Sequence, residues 1–547
     1  MADVHANTTR IAVCRHCNQL LSRPDIEIRA SVIPDTLGCH GLGPSQAVVV
    51  EETVTATLAD IAELDQEISR LQAALVELQC KRASLQSFAN AHQSLLNPIT
   101  RLPTEVLSRI FQQCIIVCWL DKTDVPYRYE RFDDTPLKIA AVCRHWRNIA
   151  LSTPRLWVAM TFMLRPKDIK RQIKLAQMWI SRSGNAPLSI HLSSYANYRD
   201  PMRKFMVLIG STSGRWRHFY CKISLPMLQC ISSIKQRLPL LETLMFNFWE
   251  EDDKALTTPI DIFAQAPRLR TLRAGRDINH LSITLPWKQL RTIIHRFREY
   301  PAQNLRDLLA LASDVEYYDL HLGEMTGSMA VSSSHSPATV QLENLRSFAV
   351  SFRGSDPVSF FKAVHMPGIQ SLSLATTKNV SWDIMTPCLV SICSQSSLEK
   401  LALNTQLSIY DSGDSLPSQH AVQILKAAKR LRHLEVPESG MSFMSAEFME
   451  IFGQLDPSGT PTLGPNMETL LFCQHNNIDY ELVAQALLSR CLPGRPSILK
   501  TITILCFQTQ TLKVIMDKWQ GLPCWGQLQS VGIEVQVREW NTYESWW

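Results

Sequence analysis

The sequence contains no long apolar run. Its longest strictly apolar stretch, residues 114–120, has seven residues, whereas a helix needs about 20 to cross a bilayer. It also lacks an excess of charge of either sign. Fifty-five basic residues stand against 50 acidic ones, a net charge of +5, too mild for a protein whose main task is to coat nucleic acid. A disulfide framework is missing too. Fifteen cysteines is an odd count at irregular spacing. Cys80, Cys114 and Cys143 sit inside apolar helical patterns, a usage that fits reduced thiols in cytosol or nucleus. The opening MADVHANTTRIAVCRHC has no basic segment leading into an apolar stretch, so no secretory signal is expected and the sequons at Asn7 and Asn379 read as chance matches.

Signatures of catalysis are absent as well. There is no G-x-x-x-x-G-K-[ST], G-x-G-x-x-G or H-E-x-x-H. The GSTSG at 210–214 carries Thr212 where a nucleophile elbow needs Ser. Cys14-x-x-Cys17 has the spacing of half a zinc knuckle, but Cys39 and His40 are adjacent and do not supply the other half. The expectation is a protein that is not an enzyme and holds neither metal nor cofactor.

What is present divides the chain. Apolar residues make up 45% of 547, enough for a sizeable core, and the length corresponds to about three or four domains, or fewer if one is a repeat array. Residues 1–50 show no sustained periodicity and read as unstructured. Residues 51–96 lack Gly and Pro. There Ile61, Leu64, Ile68, Leu71, Leu75, Leu78 and Leu85 recur in steps of three and four, with Arg82 at the interrupted position. That is the 3.5-residue period of a coiled-coil helix, which pairs either with another chain through residues 57–89 or back onto its own.

Residues 97–160 predict a small all-α module. Pro103 and Glu105 suit a helix start. Val106, Leu107, Ile110, Phe111 and Cys114 follow at helical spacing. After a polar insert over residues 120–135, Thr135 and Pro136 predict an N-cap and the first position of a second helix. Ile139, Val142, Cys143, Trp146 and Ile149 would line one face of that helix, and Pro154 would stop it before Leu156 and Trp157. About 60 residues is near the lower limit for independent stability, so the module needs a neighbour.

Residues 161–240 read as a link with the first repeats. Over 241–547 a phrase of the form L-x-x-L-x-L recurs: LETLMF at 241, LRTLRA at 269, LRSFAV at 345, IQSLSL at 369, LEKLAL at 398, LRHLEV at 431, METLLF at 467, LKTITI at 499 and LQSVGI at 528. Weaker copies, LRTIIH at 290 and VEYYDL at 315, fill the gap, and the starts fall 21–36 residues apart. Each phrase alternates as a half-buried strand does. Helical patterns intervene at 420–431 and 480–492. One strand and one helix per repeat is the arithmetic of an irregular leucine-rich-repeat α/β solenoid. Turn-rich inserts at 323–340 and 453–465 predict mobile loops on its rim. The acidic run at 250–253 and the basic stretch at 165–174 read as solvated surface. The aromatic tail, with Trp540, Trp546 and Trp547, is expected to cover the last repeat.

The run LPTEVLSRIF…PLKIAAVCRHWRNIALSTPRLW resembles an F-box. Leu102, Pro103, Glu105, Ile110, Phe111, Val142, Cys143, Trp146, Leu156 and Trp157 match the family pattern in order; the departure is the insert at 120–135. The sequence order of coiled coil, F-box and irregular leucine repeats resembles the F-box-like families expanded in mushroom-forming fungi. The resemblance implies a substrate-recognition subunit that docks a Skp-family adaptor and, through it, a cullin ubiquitin ligase. Leu102, Pro103, Ile110, Phe111, Val142, Trp146 and Trp157 would carry adaptor binding or shape the helices that do, and the repeats would hold a protein substrate in cytoplasm or nucleus. The rival expectations are a scaffold that oligomerises through 57–89 without any ligase, and an enzyme with an unfamiliar site.

Overall fold

A computed structural model describes residue 26 and residues 43–96, 98–115, 134–194, 200–247, 259–276, 283–326, 339–352, 357–376, 381–404, 416–436, 445–473, 478–491, 498–506 and 511–539. The Cys14, Cys17, Cys39 and His40 group, most of the 120–135 insert, the 250–253 acidic run, most of the 323–340 insert and the C-terminal tryptophans lie outside the described residues. The chain divides into Met1–Pro103 and Thr104–Trp547.

The first unit is one long helix, α1 (Pro44–Leu95), followed by a 3-10 turn, Pro98–Arg101. The helix starts at Pro44, so residues 44–50, read from sequence as unstructured, are helical. Pro suits the first helical position, where an N–H has no intrahelical partner. The helix is continuous, with no Gly or Pro to break it before Leu95.

The second unit opens with helices α2 (Thr104–Gln113), α3 (Thr135–Val142) and α4 (Arg144–Ser152) and a 3-10 turn, Pro154–Trp157. A sheet of 14 strands follows. Its strands are β1 (Ala159–Leu164), β2 (Leu188–Ser194), β3 (Trp216–Lys222), β4 (Thr243–Asn247), β5 (Thr271–Arg276), β6 (Thr292–Pro301), β7 (Tyr317–Thr326), β9 (Ser347–Phe352), β11 (Ser371–Thr376), β12 (Lys400–Asn404), β13 (His433–Val436), β14 (Thr469–Cys473), β15 (Thr501–Cys506) and β16 (Glu534–Glu539). The short β8 (Val340–Gln341) and β10 (Val364–His365) pair separately. Every strand of the large sheet lies beside its predecessor in sequence, all pairs are parallel, and the sheet is not closed.

Parallel neighbours require a crossover, and helices supply many of them. They are α5 (Ile169–Arg182), α6 (Asp200–Gly210), α7 (Leu225–Gln229), α8 (Ala302–Leu311), α9 (Pro357–Ala363), α10 (Trp382–Gln395), α11 (Ser418–Ala427), α12 (Ala446–Phe452), α13 (Tyr480–Ser489), α14 (Thr511–Gln520) and α15 (Trp525–Ser530). The sequence-predicted helical patterns at 420–431 and 480–492 correspond to α11 and α13.

The recurring phrase has a simple structural meaning. Its first apolar residue is buried just ahead of the strand, as Leu241, Leu269, Leu290, Leu345, Ile369 and Leu431 show. The strand starts two residues later, and its fourth and sixth positions face the core. Leu244, Leu272 and Ile293 stand in register across β4, β5 and β6, as Leu372, Leu401 and Leu434 do across β11, β12 and β13. The opposite face of the sheet is mixed: Thr271, Thr292, Tyr317, Ser347, Ser371 and Lys400 stand in one row, and Met245, Ile294 and Leu471 lie on the same face.

Both ends of the sheet depart from the phrase, the first within residues 161–240, where the first repeats are expected. Strands β1, β2 and β3 carry no L-x-x-L-x-L phrase, yet Met160, Phe162, Ile190, Leu192, Phe219 and Cys221 bury the same face. At the other end, LQSVGI at 528 is not a strand. It is the end of α15 and a turn at Gly532, whose φ of 84° favours glycine, and β16 begins only at Glu534.

The insert at 453–465 is pinned rather than loose. Arg490, buried on the last turn of α13, donates to the carbonyls of Phe452 (2.8 Å), Leu463 (2.8 Å) and Gly464 (2.9 Å) and stacks over the Phe452 ring at 4.0 Å. Within the loop, Asp456 accepts from the Ser458 and Thr460 amides. The expectation of a mobile loop took turn residues as a sign of freedom, but here they close a hydrogen-bonded turn on a buried guanidinium.

Candidate adaptor-docking site

The module over residues 98–157 holds the residues singled out from sequence. Its α2 is amphipathic for a local reason. Leu107 and Phe111, four apart, turn inward and are buried, while Val106 and Ile110, also four apart, turn outward. Phe111 meets the half-buried Trp146 of α4, ring centroids 4.7 Å apart. Polar contacts fix the same packing. Ser108 Oγ lies 3.2 Å from Thr153 Oγ1, and Thr153 donates to the Ile149 carbonyl at 2.7 Å.

The expected second helix is two helices. Cys143 takes an extended conformation (φ −156°, ψ 172°), ends α3 and caps α4, its Sγ accepting from the Trp146 amide at 3.4 Å. Arg147 donates from Nε to the Ala140 carbonyl across the break, at 2.9 Å. The helical spacing of Ile139, Val142, Trp146 and Ile149 concealed this, because a cap replaces one residue without shifting the apolar pattern. The start is shifted as well. Asp134 holds the N-cap position, Pro136 falls within the first turn, and Asp134 pairs with Lys138 at 2.6 Å.

Trp157 is sealed. Its Nε1 donates to the Ala150 carbonyl at 2.8 Å, its ring meets Trp179 of α5 edge-on at 4.8 Å, and the Arg182 guanidinium lies 4.4 Å from its centroid. With Phe111 (1% exposed) and Trp157 (0%), two of the residues put forward for adaptor binding are core. Their effect on a partner can only run through the helices they shape. Val106 (41%), Ile110 (39%), Val142 (59%) and Leu151 (40%) remain open to solvent. In the first unit, Leu102 is half-buried and its amide closes the 3-10 turn on Ile99, and Pro103 is exposed one position ahead of α2.

The residues 99–163 match the F-box-like family model. They form an F-box-like domain. That match covers a small part of the chain, and comparison with curated proteins gives no match. F-box-like domains typically bind Skp-family adaptors, and the domain points to an adaptor role in ubiquitin ligase complexes. Val106 and Leu151 were not put forward as site residues from sequence. Val106 could have been, since it stands one helical turn before Ile110.

Other sequence candidates are absorbed by structure. The Thr212 hydroxyl donates to the Ile209 carbonyl at 2.7 Å and accepts from Trp216 Nε1 at 2.8 Å. On the face of the sheet opposite the leucines, Ser351 Oγ lies 2.7 Å from His321 Nδ1, and Asp319 lies 3.1 Å from His321 Nε2. The order is that of a nucleophile, base and acid. Ser351 is buried at the penultimate position of β9, flanked by the parallel ladders of β9 with β7 and β11. The trio bridges β7 and β9, and an oxyanion site would need amide donors aimed off the sheet. Among the described residues no group of His, Cys, Asp and Glu is arranged to hold a metal, and no helix is long and apolar enough to cross a membrane.

Proposed function

We propose that the chain is a non-catalytic substrate-recognition subunit of a cullin-type ubiquitin ligase, of the F-box-like type expanded in mushroom-forming fungi. In this reading the F-box-like domain docks a Skp-family adaptor through Val106, Ile110, Val142 and Leu151. Exposed aliphatic side chains on a rigid helical frame are suited to enter a partner's apolar pockets, and a few such anchors carry most of an interface's energy. The sheet region acts as a leucine-rich-repeat solenoid, and the face of its strands opposite the leucines presents the surface for a protein substrate. Tethering substrate beside a ubiquitin-loaded enzyme raises its effective concentration, so the chain needs no chemistry of its own. Residues 57–89 of α1 join it to a second copy, and the complex works in cytoplasm or nucleus.

The observation that carries this reading is the apolar surface left open on a domain that matches the F-box-like model at 99–163. Affinity capture of the full chain, with proteasome and neddylation blocked, tests it. Recovery of Skp adaptor and cullin with the wild type, and loss of both with Ile110→Asp/Val142→Asp, is expected. The exposed seam of α1 favours a second reading, a scaffold with no ligase attached. That reading predicts oligomers and no adaptor with either protein.

A further inference from the structure

Most of the apolar seam of α1 is uncovered: Ile61, Ile68, Leu75, Leu78 and Leu85 are 47–65% exposed, and Leu64 and Leu71 are half-buried. We propose that α1 pairs with a second copy of itself in antiparallel orientation. The proposal rests on the self-association included in the reading above and adds its direction and register.

The direction follows from where the charges fall. With Ile61, Ile68, Leu75 and Arg82 at a and Leu64, Leu71, Leu78 and Leu85 at d, the seam is flanked by Asp60, Asp65 and Glu67 in its first half and by Lys81 in its second. Glu77 sits at c, away from the seam. A parallel pair would set Asp60 against Asp65 of the second copy and Arg82 against Arg82 inside the seam, so like charges meet at both places. An antiparallel pair with Ile61 opposite Leu85 reverses this. Glu67 then flanks Lys81 of the second copy, twice by symmetry. Arg82 enters opposite Leu64, between Asp65 and Glu67 of the other helix, so the cation that interrupts the seam meets carboxylates. Within its own helix Glu67 also binds Arg70 at position c, at 2.6 and 2.9 Å, an exposed pair that Lys81 of the second copy would share or displace.

At 1.5 Å per residue, this register places the two copies of Leu95 about 65 Å apart along the axis. The two chains therefore leave the paired helices at opposite ends.

Sedimentation of the full chain over a dilution series tests the proposal. The wild type dimerises and Leu71→Lys/Leu78→Lys does not. Lys81→Glu/Arg82→Glu and Asp65→Lys/Glu67→Lys each dimerise about tenfold more weakly, because each turns symmetric attractions into repulsions. The chain carrying all four changes recovers wild-type association. A parallel pair would leave the first charge variant unchanged and tighten the second, because the new cation at position 65 would face Asp60. Either of those results overturns the direction while leaving self-association standing. A wild type that stays monomeric, or a dimer that survives Leu71→Lys/Leu78→Lys, overturns the seam itself. Neither result would touch adaptor docking, which is read from a different domain.

Discussion

Replacing Trp157 separates a structural role from a binding one. The F-box resemblance puts this residue among those that would carry adaptor binding or shape the helices that do, and the fold encloses it between α4 and α5. Trp→Ala at a sealed position costs about 3–5 kcal/mol in transfer and cavity terms. Within that sum, the ring pair with Trp179 and the bond to the Ala150 carbonyl each account for about 1 kcal/mol. Trp157→Phe keeps most of the ring and loses the bond, so it should cost about 1–2 kcal/mol. The chain is too large for one two-state transition, so the assay is native-state hydrogen exchange resolved by segment. Trp157→Ala should lower protection in α4 and in α5 together, because the indole is packed against both. A loss confined to the Pro154–Trp157 turn would refute that account. So would a well-folded Trp157→Phe variant that binds adaptor more than tenfold more weakly, since a sealed side chain has no direct contact to lose.

Two further outcomes follow from buried polar groups. Burial, with Lys222 nearby adding to it, pushes the His191 pKa down to about 3. The folded state therefore resists protonation that the unfolded chain accepts near pH 6.5, and stability is full above that value and falls as pH drops towards 3. Between pH 7 and pH 5 the opening free energy of β2, read by hydrogen exchange resolved by segment, should fall about 2 kcal/mol more in the wild type than in His191→Gln, and equal losses would contradict the burial argument. Arg490→Met should cost about 3 kcal/mol or more by leaving three buried carbonyls without their donor, and should speed exchange across residues 453–464. Burial lowers the Arg490 pKa to about 10, so it remains charged at neutral pH. Arg490→Lys should restore little, because an ammonium cannot reproduce the fork that reaches three acceptors. Unchanged exchange in the loop would show that its own turns hold it.

The sheet was legible because its signal is repetitive. Leucines at the first, fourth and sixth positions of one phrase mark a buried lead-in and two core-facing residues, and that geometry recurs from β4 to β15. The signal failed where other apolar residues took the same places. Trp216, Phe219 and Cys221 bury β3 as well as leucines would, but they match no phrase. At 528 the phrase was present, but Gly532 made it a helix end. The F-box-like domain was legible in composition and order but not in orientation. A helical pattern says that Ile110 and Phe111 lie on neighbouring faces, and only packing against Trp146 decides which of them turns inward. Cys143 shows the same limit. Its place in the apolar spacing suits a continuous helix, and its thiol instead caps a new one.

The most direct measurement is a calorimetric titration of a purified Skp-family adaptor into the full chain. Ile110→Asp changes an exposed residue, so stability should move by no more than about 0.5 kcal/mol. Loss of an anchor should weaken adaptor binding by more than about tenfold. Saturable binding by the wild type and that loss in the stable variant are the predicted results. Equal affinity in both proteins, or no binding by the wild type, would contradict the docking role assigned to the open face of α2.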